Sequence, residues 1–211
     1  MDILLLRHGN TFEAGQTAVW VGGRTDLPLV EKGREQADNA GTALSKAFPQ
    51  MDLIICGPLQ RTRETALIVA KHFDYPPEKI VIDPRLREID YGLWEGKSSE
   101  QIRAMAGTAE LEAWEKNSKW PEGAGWSSSL AEQTEKLQQF MTDVASRNIG
   151  SALVVSSNGI FKLLGKWIDP SRADVKMATG HMSLLRSAGS QMTIKGWNLP
   201  SSSFGTGELP G

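Results

Sequence analysis

Apolar positions along the chain fall into short compact runs, and between them apolar residues recur every three or four positions. Ile3 to Leu6 is an unbroken apolar run ending at Arg7-His8-Gly9. It predicts a buried strand followed by a loop. Met51 to Cys56, stopped by Gly57-Pro58, and Ala152 to Val155 predict two further buried strands, and Ile80 to Ile82 a short one. Helical spacing runs over Glu31 to Phe48 (Ala37, Ala40, Leu44, Phe48) and over Leu59 to Phe73, with Leu67, Ile68, Ala70 and Phe73 expected inward. It is clearest over Leu130 to Arg147, where Leu130, Thr134, Leu137, Met141 and Val144 recur. Gly159 to Ile168, Ser98 to Met105 and Glu110 to Lys116 predict shorter helices. Met182 to Arg186 and Met192 to Lys195 alternate like edge strands, and Leu199 to Gly211, rich in Ser, Gly and Pro, predicts a loose tail.

Strands alternating with helices predict an α/β fold: a mostly parallel sheet covered by helices on both faces. Ligands of such sheets sit beyond the carboxyl ends of the strands. Arg7-His8-Gly9, Cys56-Gly57-Pro58 and Ser156-Ser157-Asn158-Gly159 all fall at such ends, so three distant segments converge on one expected site.

Composition narrows the chemistry. In 211 residues, 23 Lys and Arg against 25 Asp and Glu give a net charge of −2, so no basic excess drives binding to nucleic acid or an anionic membrane. No apolar run is long enough to span a bilayer, and the start carries no basic secretory region. The single cysteine, Cys56, excludes an intramolecular disulfide and points to a reducing, cytoplasmic setting; a buried strand thiol is its expected role. Only His8, His72 and His181 can supply imidazole, which argues against a multi-histidine metal site.

His8, just past a strand and between Arg7 and Gly9, reads either as a satisfied strand-end histidine or as a nucleophile toward phosphorus with one ring nitrogen held by an acceptor. Arg7 can offer paired donors to phosphate oxygens. Arg61, on the first turn of a helix, can join it to form an oxyanion pocket, or can be an ordinary solvated arginine. Glu88, among Leu86, Ile89, Tyr91 and Trp94, is either an ordinary ion-paired carboxylate or a general acid with a raised pKa.

Taken together, the motifs resemble the histidine phosphatase superfamily, the fold family of phosphoglycerate mutase. They are RHG-x-T at Arg7 to Thr11, G-x-x-D-x-PL-x-x-x-G at Gly23 to Gly33, PL-x-R-x-x-x-TA ending at Ala66, and L-x-E-x-x-x-G-x-WEG at Leu86 to Gly96. The resemblance runs from Met1 to Asn198. It implies one three-layer α/β/α domain over 1–198, a small helical and loop cap inserted over about 89–128, and a flexible tail over 199–211. It also implies a phosphomonoesterase without metal or cofactor, acting on a small phosphorylated metabolite. His8 would form a phosphohistidine, with its tautomer fixed by the Gly9 carbonyl. Arg7 and Arg61 would clamp the phosphoryl oxygens, and Glu88 would protonate the leaving alcohol and then activate water. Asn10, Asn158 and Gly159 would contact the substrate or inorganic phosphate.

The chain departs from the family in places that bear on rate. The family's second catalytic histidine falls at Asn158, in VVSSNGIF. An amide can donate one N–H but no charge, a loss of about 1–2 kcal/mol in the transition state. A slower phosphatase is expected, with a non-catalytic phospholigand-binding protein and a phosphomutase as alternatives. His181 is the one reserve imidazole, and His72, late in a helix, reads as structural. Gln16 would take the place of the asparagine usual after the first motif. Gly57 stands where a serine is usual, and Gly125-Trp126-Ser127 lacks the usual glutamate. Trp114, Trp120 and Trp126 fall in the cap segment, which is shorter than in the mutases and favours phosphatase over mutase.

Overall fold

A computed structural model describes residues 1–106, 108–188 and 191–204. The apolar runs become the strands β1 (Asp2–Arg7), β2 (Leu53–Cys56), β3 (Val81–Ile82) and β4 (Ser151–Ser156). They are joined by β5 (Met182–Ala188) and β6 (Gln191–Leu199) in one six-stranded sheet of order β3-β2-β4-β1-β5-β6. β1–β4, β2–β4 and β2–β3 pair in parallel, whereas β1–β5 and β5–β6 pair antiparallel, so the sheet is mixed.

Side chains alternate across the sheet with period two, and this divides the core. Ile3, Leu5, Ile55, Ala152 and Val154 pack on one face with α5 (Leu130–Ala145), α6 (Asn158–Ile168) and the cap helices α3 (Ser99–Ala106) and α4 (Thr108–Asn117). Leu4, Leu6, Ile54, Cys56, Leu153 and Val155 pack on the other with α1 (Glu31–Ala47) and α2 (Gln60–Lys71). This is the three-layer α/β/α architecture. Ser129 starts α5 with a reciprocal capping box to Glu132.

Four expectations are corrected. β5 is an interior strand between β1 and β6, with Met182 to Leu185 buried; of these two strands β6 alone lies at an edge. The inward face of α2 is Thr62, Thr65, Ala66, Val69 and Ala70, while Leu67 is exposed. On α5, Leu137, Phe140, Met141 and Val144 are buried, and Leu130 is exposed. The expected tail from Leu199 starts too early. Leu199 ends β6 and Phe204 is fully buried against the α1–α2 face, joining the core; residues 205–211 lie outside those described.

Candidate active site

β1 and β4 lie side by side in parallel with Arg7 opposite Ser156, so the chain segments leaving both strands begin together at their carboxyl ends. The His8 N–H bonds the Ser156 carbonyl at 3.1 Å. The chain then turns at Gly9, whose backbone packs against Gly33 of α1 so closely that a Cβ on Gly9 would strike the Gly33 backbone and one on Gly33 the Asn10 backbone. Two motif glycines thus fix the exit of β1.

The His8 ring is buried, with Nδ1 2.7 Å from the Gly9 carbonyl. A carbonyl only accepts, so Nδ1 carries the proton and the lone pair stays on Nε2. Burial, followed by the charges of Arg7 and Arg61, holds the imidazole well below its ordinary pKa. A neutral ring with an open Nε2 is the nucleophilic form.

Both arginines are held by backbone carbonyls. Arg7 Nη1 donates to the Met177 carbonyl at 2.6 Å. Arg61 Nη1 and Nη2 donate to Thr25 (2.8 Å) and Gly22 (3.2 Å). The Nε of each is buried and has no partner among the described residues. Both guanidinium groups line the cleft with the imidazole, which concentrates positive charge there and suits an anion.

Glu88 closes the site. Its Oε1 accepts the Ile89 N–H at 2.9 Å and its Oε2 the Gly159 N–H at 3.1 Å. Burial raises its pKa against the pull of these bonds and of Arg61 and Arg7. The Tyr91 hydroxyl bonds the same carboxylate, and its own pKa is pushed well above the usual value, by burial and then by Glu88. A side chain at Gly159 would collide with Glu88 Oε1 and, at 2.6 Å, with the Tyr91 hydroxyl.

Arg7, His8, Asn10, Arg61, Glu88 and Asn158 all line one cleft of about 680 Å³. Asn158, on the first turn of α6, accepts the Met177 N–H on Oδ1 at 2.9 Å. Asn10 ties the β1 exit loop to Thr179, whose hydroxyl donates to its Oδ1 at 2.5 Å. Gly159 is brought close, but its N–H is taken by Glu88 and it does not line the cleft. His181 is not a reserve imidazole for the cleft: its Nδ1 lies 2.9 Å from the Asn198 carbonyl and its ring is not among the lining groups. Gln16 sits in an exposed turn, accepting from the Glu13 N–H, and also stays outside. His72 is structural, 2.9 Å from Asp38 and packed over Gly41. Burial raises the Cys56 thiol to about 11, which suits an inert core residue.

The segment expected as a cap holds an aromatic cluster. Trp126 meets Tyr91, Trp94, Trp114 and Trp120 edge-on at centroid distances of 4.6 to 5.4 Å. Trp114 and Trp20 also reach the cleft; Trp120 and Trp126 only pack. Sequence reasoning passed over Tyr91 as the partner of Glu88, Met177 as the anchor of Arg7, and Lys162. The signal for Lys162 was present: it is a lysine inside the apolar run Ile160 to Leu164. Among the described residues no cluster of three His, Cys, Asp or Glu is built to hold a metal, and no helix is long and apolar enough to cross a membrane.

Known proteins resemble this chain in sequence and in fold. The chain is 30% identical over 168 residues to adenosylcobalamin/alpha-ribazole phosphatase of Salmonella typhimurium, spanning 78% of this chain and 77% of that one. It is 35% identical over 124 residues to glucosyl-3-phosphoglycerate phosphatase of Mycolicibacterium vanbaalenii, over 58% of this chain and about half (51%) of that one. The solved structure of mycobacterial glucosyl-3-phosphoglycerate phosphatase in complex with VO3 superposes with a TM-score of 0.78 at 24% identity, covering 94% of this chain and 98% of that one. The family profile matches residues 3–200, nearly the whole described fold, and the chain belongs to the histidine phosphatase superfamily, branch 1.

Proposed function

We propose that this enzyme is a metal-independent phosphomonoesterase of small phosphorylated metabolites that works through a phosphohistidine at His8. The observation that carries the reading is the His8 ring. It is fixed by its 2.7 Å contact to the Gly9 carbonyl and lies beside two buried arginines whose Nε donors lack partners. Nε2 attacks phosphorus while the ester P–O bond breaks. Arg7 and Arg61 hold the equatorial oxygens, where charge gathers. Glu88, with its raised pKa, gives its proton to the leaving alcohol. As a carboxylate it then takes a proton from water, which cleaves the P–N bond and releases inorganic phosphate.

Asn158, in this reading, stands where the family's second catalytic histidine falls. Its amide contacts the phosphoryl group without adding charge, and turnover is slow rather than absent. A binding-only protein would have no use for a buried, partly protonatable carboxyl beside the nucleophile, and Glu88 is such a group. The named phosphatases among the relatives support hydrolysis of a small phosphoester. A cytoplasmic setting agrees with one cysteine, buried as a core residue.

The test is a phosphometabolite panel read for released phosphate, with acid-quenched enzyme examined for an acid-labile phosphoryl group. His8→Ala loses that group, and turnover falls on the order of a thousandfold or more. Wild-type enzyme with neither phosphoenzyme nor released phosphate across the panel overturns the reading.

A further inference from the structure

Lys162 lies one turn along α6 from Asn158 and is only 2% exposed. Its Nζ donates to the carbonyls of Trp114 (2.5 Å) and Glu115 (3.0 Å) in the last turn of α4, and sits 4.4 Å from the Trp114 ring centroid. An ammonium has three protons, and among the described residues no acceptor is found for the third. Nor does any ion pair among those residues use it.

Taking an ammonium out of water without a carboxylate is costly, and an apolar side chain of similar length would tie α4 to α6 at lower cost. Burial lowers the Lys162 pKa to about 8, Lys176 pushes the same way, and Glu115, Asp174 and Glu88 act against them. Lys162 nevertheless lines the same cleft as His8, on the cap side with Trp114 and Glu115. Lys176, exposed, lines it too. Lys116 is the third lysine of that wall, but its charge is engaged by Glu112 at 2.8 Å. Two cations that no ion pair among the described residues engages thus line the cleft from α6 and the segment after it, in addition to Arg7 and Arg61.

We propose that Lys162 and Lys176 form a second anion subsite at the cap end of the cleft, so that the leaving alcohol of the substrate carries its own carboxylate or second phosphate. The inference rests on the phosphomonoesterase reading for its kinetic readout, and a binding measurement keeps the two separable. The probes are phenyl phosphate, meta-carboxyphenyl phosphate and meta-phenylene bisphosphate; the two charged esters distinguish a carboxylate from a phosphate. Wild-type enzyme prefers at least one charged ester by about tenfold or more in kcat/KM, as for a hydrogen bond between charged groups. That ratio collapses toward unity in Lys162→Met, falls in the exposed variant Lys176→Met, and is retained in Lys162→Arg.

If Lys162 serves only to hold the cap, all three esters lose rate together and the ratio stays at its wild-type value, which overturns the subsite. In the His8→Ala background, calorimetric Kd values for the three esters follow the same preference and lose it with Lys162→Met. Preference in binding without any hydrolysis by wild type overturns the phosphatase reading and leaves the subsite standing. Hydrolysis without preference for either charged ester does the reverse.

Discussion

The side-chain oxygen of Asn158 accepts the Met177 N–H at 2.9 Å, and the Met177 carbonyl on the same stretch of chain accepts Arg7 Nη1 at 2.6 Å. Asn158 therefore reaches the cleft in two ways: its amide lines it, and its oxygen steadies the strut behind the guanidinium. Asn158→Ala should raise KM as well as lower kcat, because Arg7 loses its fixed backing. Asn158→His can accept from Met177 through one ring nitrogen and offer the other as a donor. A rise in kcat of up to about tenfold is expected, from a stronger hydrogen bond to charge developing in the transition state. Steady-state kinetics of both variants check this. A lower rate for the histidine variant would mean that the site has readapted around the amide.

The pH profile should be bell-shaped with assignable limbs. His8 is held low, chiefly by burial, so the nucleophile stays neutral until the pH falls well below the ordinary histidine range; the acid limb is its protonation. Glu88 is held high, chiefly by burial, so the acid form that serves the leaving group is lost as pH rises through that raised value. Glu88→Gln should lower kcat by on the order of a hundredfold for alcohol leaving groups and abolish the basic limb while keeping the acid one. Measuring kcat/KM against pH for wild type and variant checks both.

Gly159→Ala should be far more harmful than a helix alanine usually is. Added in an exposed helix interior, alanine stabilises relative to glycine. Here its Cβ would meet Glu88 Oε1 and the Tyr91 hydroxyl. The carboxyl must shift, and kcat should drop by on the order of a hundredfold. Activity within a few-fold of wild type would show that Glu88 tolerates displacement.

Phe204 lies five residues past the end of the last strand and is fully buried. Phe204→Ala should cost about 3–5 kcal/mol of stability, as for a core phenylalanine. Urea or thermal unfolding gives the value, and a cost under about 1 kcal/mol, the scale of surface changes, would count against a packed C-terminal segment.

The apolar runs of β1, β2 and β4 and the loops that follow them were readable because a strand buried on both faces needs an unbroken apolar stretch, and its carboxyl end is where α/β sheets bind ligands. His8, Arg7, Arg61 and Glu88 could be named from these rules and from the family motifs. The α2 face was not readable from periodicity. Leu67 and Ile68 look inward by type, but Thr62 and Thr65 take the inward side because their hydroxyls bond the carbonyls of Gly57, Leu59 and Arg61. β5 was mistaken for an edge because the strand pairings that enclose it come from β1 and β6, distant or irregular in register. His181 failed as a reserve because its ring finds a nearer acceptor in Asn198. Lys162 stands out in sequence as a lysine within an apolar run, but its hydrogen-bond partners are backbone carbonyls of another helix, which no side-chain pattern encodes.

The placement of β1 between β4 and β5 has a consequence in time. The nucleophile leaves the ribosome long before the residues that position it. The neighbours of His8 and Arg7 come late: the Ser156 carbonyl that fixes His8, the Gly159 N–H that holds Glu88, and the Met177 carbonyl that holds Arg7. A nascent chain stopped before residue 177 owns the nucleophile, both arginines and the acid, yet lacks the carbonyl that holds Arg7. The site is therefore assembled only after Met177 has been made, and a chain cut ahead of that residue keeps the nucleophile but loses the contact that backs Arg7.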